Sequence, residues 1–123
     1  MNKWDVVVLS YPFTDLSATK VRPALVISPD SYNRTSQDAV FILITTNTSR
    51  RGPFDLLVGT SHPEFATTGL RFDSAVRIDK IFTLSKKLVV CTIGRFGPEL
   101  VKEAEKQLRL FLELAGEQLV LQI

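Results

Sequence analysis

Residues 11–29 read YPFTDLSATKVRPALVISP, and how this stretch divides decides the fold. Pro12, the Thr14-Asp15 pair and Ser17 are turn formers, whereas residues 24–28 are a short, mostly apolar run. A run of that size bounded by turn signals is a strand. Arg22 therefore stands just before a strand, where a loop meets a rigid element, and Pro23 biases its backbone towards extended geometry. A guanidinium held there offers paired N–H groups to a phosphate and stays charged at any physiological pH.

The same alternation of short runs and turns extends outward in both directions. Strands are predicted over 5–10, 24–28, 39–45, 54–58, 75–84 and 88–95. Turn signals lie between them at Pro29-Asp30 with Ser31 and Asn33, over 47–53, and at Ser85-Lys86. Within 74–84, Val76, Ile78 and Phe82 alternate with Arg77 and Asp79, the mark of a half-buried strand. Spacing of this kind predicts an α+β, mainly β fold built on a small, strongly curved sheet or barrel. At the carboxyl end, Gly97 and Pro98 occupy helix-start positions and Glu99 falls where the helix dipole favours an acid. Leu100, Val101, Ala104, Leu108, Phe111, Leu112 and Ala115 recur every three or four residues, giving one apolar face to pack on the sheet, and Gly116 supplies a stop. The alternating tail 119–123 suits an edge strand or a dimer contact. No repeat or linker interrupts the chain, so 1–123 reads as a single domain.

With 45% hydrophobic and 23% charged residues, the 123-residue chain is globular, not disordered. Its formal charge of +2 is uneven: residues 1–97 carry 12 Lys/Arg against 8 Asp/Glu, and residues 98–123 carry 3 against 5. A mildly basic body permits a polyanionic partner without demanding one. Cys91, the only cysteine, lies in the apolar run 88–93 and reads as an inert, buried thiol, compatible with a reducing compartment. No signal-like or membrane-spanning run is present, so a cytoplasmic protein with no membrane attachment is expected. His62, the only histidine, reads as a surface-loop residue, and the segment 61–68 around it fits no element. No Cys/His/carboxylate cluster has metal-ligand spacing, so neither metal nor cofactor is expected.

The succession WDVVVLSYPFTD, KVRPALVISP, YN, ILITTN, GL, SAVRIDKIFTLSK and IGR, spanning roughly residues 4–114, resembles the MazF/PemK-like toxins of type II toxin–antitoxin systems. The resemblance implies an SH3-like barrel of the CcdB/MazF type, made of curved antiparallel strands with a C-terminal helix. It also implies a sequence-specific, metal-independent endoribonuclease (an mRNA interferase and growth inhibitor) that cuts single-stranded RNA, leaving a 2′,3′-cyclic phosphate and a 5′-hydroxyl. Such a protein acts as a homodimer and is neutralised by a cognate antitoxin. In that family the arginine before proline and a threonine ending the third strand form the catalytic pair. Here they correspond to Arg22 and Thr45, with Thr46 as the alternative if the register slips by one. Two departures touch the first loop. Leu16 and Ala18 stand where the family often has small residues, and Val21 stands where a basic one often precedes the arginine.

The chemistry suits these residue types. The ribose 2′-hydroxyl is an internal nucleophile, so water need not be activated by a metal. What remains is to stabilise charge on the phosphorane-like transition state, for which a fixed cation and hydrogen-bond donors are the largest aid. Lys20, Arg50 and Arg51 add phosphate attraction. Asn33 and Asn47 are candidate contacts to bases or backbone, and Tyr11 and Phe13 are candidate stacking residues for unpaired bases. Two rivals share the fold: a non-enzymatic gyrase poison of the CcdB group, acting through its C-terminal region, and an RNA-binding barrel without catalysis.

Overall fold

The computed structural model describes residues 1–11 and 20–115, with Tyr11 described by its backbone alone. The loop 12–19, including Phe13, Leu16 and Ala18, lies outside the described residues, as do Gly116 and the tail 119–123.

Six strands form one antiparallel sheet: β1 (Asp5–Tyr11), β2 (Lys20–Val26), β3 (Asp38–Thr45), β4 (Leu56–Val58), β5 (Ser74–Ser85) and β6 (Val89–Arg95). Their spatial order is β4-β5-β3-β2-β1-β6. Among the described residues the α-helices are α1 (Asp30–Thr35), between β2 and β3, and α2 (Pro98–Leu112), after β6. The sheet has apolar residues on both faces. Val6, Leu25, Ile42, Ile44, Val58, Val76 and Ile78 pack with Phe96, Leu100 and Ala104 under α2. Val7, Leu9, Ala24, Val26, Ala39 and Phe41 form a second cluster closed by Phe82, Leu84 and Val89. Alternate residues of β1, β2 and β3 thus enter opposite clusters, as the period of two requires. The sheet curls into a half-barrel. Bulges permit the curl: the β3–β5 register jumps between Ile42/Ile44, and β1–β6 shifts between Val6/Val7 and Val8/Leu9.

Several boundaries differ from the sequence reading. β2 begins at Lys20, not at Ala24, because β1 offers a partner out to the Tyr11–Lys20 pair. Arg22 is therefore a strand residue rather than a loop residue. The turn read at Pro29 to Asn33 is helix α1, braced by a buried amide. Ser28 Oγ donates to Asn33 Oδ1, Asn33 Nδ2 donates to the Ser28 carbonyl at 3.0 Å, and Lys86 Nζ donates to the Asn33 carbonyl at 2.6 Å. β4 is shorter than expected because Asp55 turns back to accept the Gly52 N–H at 2.7 Å. Cys91 is exposed, not buried, because β6 is an edge strand. α2 ends at Leu112, ahead of Gly116, with Glu113 in the left-handed region at φ 54. Leu100 and Ala104 of its apolar face are buried, while Leu112 and Ala115 remain exposed.

The unassigned segment 61–68 is the cap of α2. Gly97 has no side chain to cap the helix, so Glu64 reaches across and accepts N–H bonds from Leu100 at 2.8 Å and Glu99 at 3.2 Å. A Cβ on Gly97 would collide with that carboxylate, which is why glycine stands there. His62 is half-buried instead of a plain surface residue. Its Nδ1 accepts the Glu64 N–H at 3.0 Å, so its proton sits on Nε2, which faces Glu103 at 3.1 Å. Among the described residues, no helix is long and apolar enough to cross a membrane.

Candidate active site

β2 and β3 pair as Ala24–Leu43, Leu25–Ile42 and Val26–Phe41. Continuing this register two residues outward sets Arg22 across from Thr45, on the same face of the sheet. The recorded pairing stops at Ala24–Leu43, immediately inside Pro23, which has no N–H to give. On its other side β2 stays paired to β1 through Leu9–Arg22 and on to Tyr11–Lys20. Arg22 and Thr45 thus flank the point where the β2–β3 ladder ends, each carried by a strand that is paired on its outer side. Cross-strand partners in a closed ladder have Cα atoms about 5 Å apart.

Arg22 is exposed, and no carboxylate among the described residues pairs with it. Its charge is therefore free to meet an anion. Thr45 is half-buried, and its Oγ1 accepts the Asn47 N–H at 3.1 Å. That bond fixes the hydroxyl at the strand end and leaves its O–H to donate. Thr46, the alternative, is exposed and lies one residue further out.

The other candidates divide. Lys20 is exposed on β2 opposite Tyr11, on the same strand as Arg22. Asn47 is exposed and accepts the Ser49 hydroxyl at 2.7 Å, leaving its amide donors available. Arg50 and Arg51 are exposed on the turn Thr48–Arg50 and just beyond it. Asn33 drops out of the surface: it is 5% exposed and its amide is spent on Ser28. Phe13 and the Tyr11 side chain lie outside the described residues.

Sequence reasoning missed the clamp that supports this surface. The Asp55 side chain is buried, accepting the Gly52 N–H and lying 2.8 Å from Arg77 Nε. That N–H is not aimed at the carboxylate, so the contact is an ion pair without a well-formed hydrogen bond from Nε. The clamp ties the arginine-bearing loop after Thr45 to β5. The alternation of Arg77 with Val76 and Ile78 was its only trace in sequence. Among the described residues, no three His, Cys, Asp or Glu side chains stand together as a metal site.

Comparison with known proteins bears on the fold and the family. Residues 2–112 match the model of the PemK-like, MazF-like toxins of type II toxin–antitoxin systems. Endoribonuclease MazF2 of Mycobacterium bovis is 33% identical over 96 residues, covering 77% of this chain and 81% of that protein, and Endoribonuclease MazF6 of Mycobacterium tuberculosis gives the same values. Among solved structures, an endoribonuclease bound to its cognate antitoxin from Mycobacterial species superposes with a TM-score of 0.72 at 23% identity, over 94% of this chain and 98% of that one. A second, an endoribonuclease from Mycobacterial species, gives 0.69 at 25% identity, over 94% of each chain. The chain belongs to the PemK-like, MazF-like toxins of type II toxin–antitoxin systems.

Proposed function

We propose that this endoribonuclease toxin cuts single-stranded RNA by metal-independent transesterification, with Arg22 and Thr45 as its catalytic pair. What supports this reading is the β2–β3 register, whose pairs end at Ala24–Leu43 and whose outward continuation would set Arg22 across from Thr45. In the reaction the ribose 2′-oxygen bonds to the adjacent phosphorus and loses its proton to solvent. The bond from phosphorus to the 5′-oxygen breaks, and that oxygen gains a proton. Arg22 holds the charge that grows on the nonbridging oxygens, and the Thr45 hydroxyl donates to one of them. Lys20, Asn47, Arg50 and Arg51 attract and align the strand. The products are a 2′,3′-cyclic phosphate and a 5′-hydroxyl.

The chain acts in the cytoplasm as a homodimer restrained by a cognate antitoxin. Exposed Val90 and Ile93 on edge strand β6, with Leu110, Leu112 and Leu114 at the end of α2, supply apolar surface for such assembly. The gyrase-poison and catalytically silent readings have no comparable support. Wild type, Arg22→Ala and Thr45→Ala, incubated in EDTA with a long unstructured RNA whose ends are then mapped, test the proposal. Wild-type cleavage with cyclic-phosphate ends, lost in Arg22→Ala, is expected. An inert wild type overturns it.

A further inference from the structure

We infer that Asp55 is a positioning residue: it fixes the Arg51–Gly52 peptide so that Arg50 and Arg51 meet RNA phosphates beside the scissile one. This rests on the reading of the chain as an RNA-cutting enzyme and adds to it the device that orders its cationic loop. The loop leaves β3 after Thr45 and returns at β4, and both of its ends are held. At the first, the Asn47 N–H donates to Thr45 Oγ1 at 3.1 Å. At the second, the Gly52 N–H donates to Asp55 Oδ2 at 2.7 Å, and the Asp55 N–H donates to the Gly52 carbonyl at 3.2 Å. The Gly52 nitrogen belongs to the peptide formed with Arg51, so the carboxylate grips the backbone of Arg51 itself. Arg50 and Arg51 stand exposed between these anchors, and neither pairs with a carboxylate among the described residues.

Asp55 is fixed in turn by the sheet. Its side chain is 1% exposed and lies 2.8 Å from Arg77 Nε. A carboxylate that far from water needs a charge and a hydrogen bond to match it, and Arg77 and Gly52 supply them. Arg77 belongs to β5, two residues past Ala75, the partner of Thr45. Its neighbours Val76 and Ile78 enter the cluster under α2, as does Ile44 before Thr45, so Arg77 and Thr45 share the opposite face. Phe54 and Leu56, which flank Asp55, also pack on the cluster under α2. The clamp therefore stands on the face of the proposed catalytic pair, one strand away from Thr45. Without it, the entropy of ordering two arginines and their backbone falls on RNA binding.

The experiment starts from the cut site mapped with wild type. A short fluorescent RNA around that site, 2′-O-methylated so that the nucleophile is blocked, is titrated in EDTA at several salt concentrations. The proteins are wild type, Asp55→Ala, Asp55→Asn, the pair Arg50→Ala/Arg51→Ala, and that pair with Asp55→Ala added. Circular dichroism gives the folded fraction of each. Asp55→Ala is expected to bind roughly tenfold more weakly per folded molecule. Its salt slope should be shallower by about 0.7–1.4, the share of one or two phosphate contacts on a single strand. In the background lacking both arginines it should cost nothing more. In cleavage assays the loss should fall on KM more than on kcat. Asp55→Asn keeps an oxygen for the Gly52 N–H and should bind between wild type and Asp55→Ala; it carries the same cycle if the alanine variant does not fold. Wild-type affinity in Asp55→Ala, an unchanged salt slope, or a loss that persists without the two arginines overturns the inference while wild type still cuts RNA. RNA neither cut nor bound by wild type defeats the proposed function, and this device with it.

Discussion

Replacing Glu64 by alanine removes the cap of α2, a helix that begins at a residue with no side chain. The Glu64 carboxylate accepts two of the orphan amides of the first turn, at 2.8 Å from Leu100 and 3.2 Å from Glu99. Loss of an N-terminal cap costs about 1 kcal/mol, and loss of a negative charge at the positive end of the helix dipole costs about 0.3–1 kcal/mol more. Because Leu100 and Ala104 carry α2 into the core, fraying there reaches beyond the surface. We expect Glu64→Ala to lose about 2 kcal/mol, or on the order of 8 °C in Tm for a domain of this size. Glu64→Gln keeps one acceptor without the charge and should lose about half of that. Gly97→Ala supplies the complementary test. Its Cβ meets the Glu64 carboxylate, so it should destabilise wild type yet cost little in the Glu64→Ala background. The assay is thermal unfolding by circular dichroism for all four combinations. Additive losses, or a Glu64→Ala variant within about 0.5 kcal/mol of wild type, would refute the reasoning, since caps are worth more than that.

Asn33→Ala breaks the buried brace under α1 and should cost about 2 kcal/mol through polar atoms left unpaired on Ser28. RNA cleavage per folded molecule should not change, and a cleavage defect beyond the folding loss would return Asn33 to the RNA surface. Cys91 should react with a thiol reagent at dilutions where the chain is monomeric, because edge strand β6 exposes it; protection of the monomer until unfolding would contradict that placement. Arg22→Lys keeps the charge and loses the planar fork, so cleavage should fall about tenfold, compared with about 10²–10³ for Arg22→Ala. Full activity in Arg22→Lys would show that a point charge suffices.

The sheet was legible in sequence because its strands alternate and its turns are marked by Pro, Asn, Asp and Ser. The proposed pair Arg22 and Thr45 came from the family resemblance; locally, the sequence showed only an arginine ahead of Pro23 and a threonine at the end of a strand. What escaped was long-range polar chemistry. Nothing local announces that Glu64 caps a helix 35 residues away, or that Asp55 ties Gly52 to Arg77. Asn33 looked like a surface turn residue because turn and short-helix signals coincide, and only the fold shows its amide closing on Ser28. Cys91 was misread because an apolar run says nothing about whether its strand lies inside the sheet or at the edge. Arg22 looked like a loop residue because the pairing that extends β2 comes from β1.

A cationic fork and a hydroxyl acting on the same phosphate must show energetic coupling. Single-turnover cleavage rates in EDTA for wild type, Arg22→Ala, Thr45→Ala and the double variant measure it directly. The expected result is metal-independent cleavage by wild type, a loss of about 10²–10³ for Arg22→Ala and about tenfold for Thr45→Ala. The double variant should lose less than the product of the two. Strictly multiplicative losses, or an Arg22→Ala enzyme as fast as wild type, would contradict the site described above.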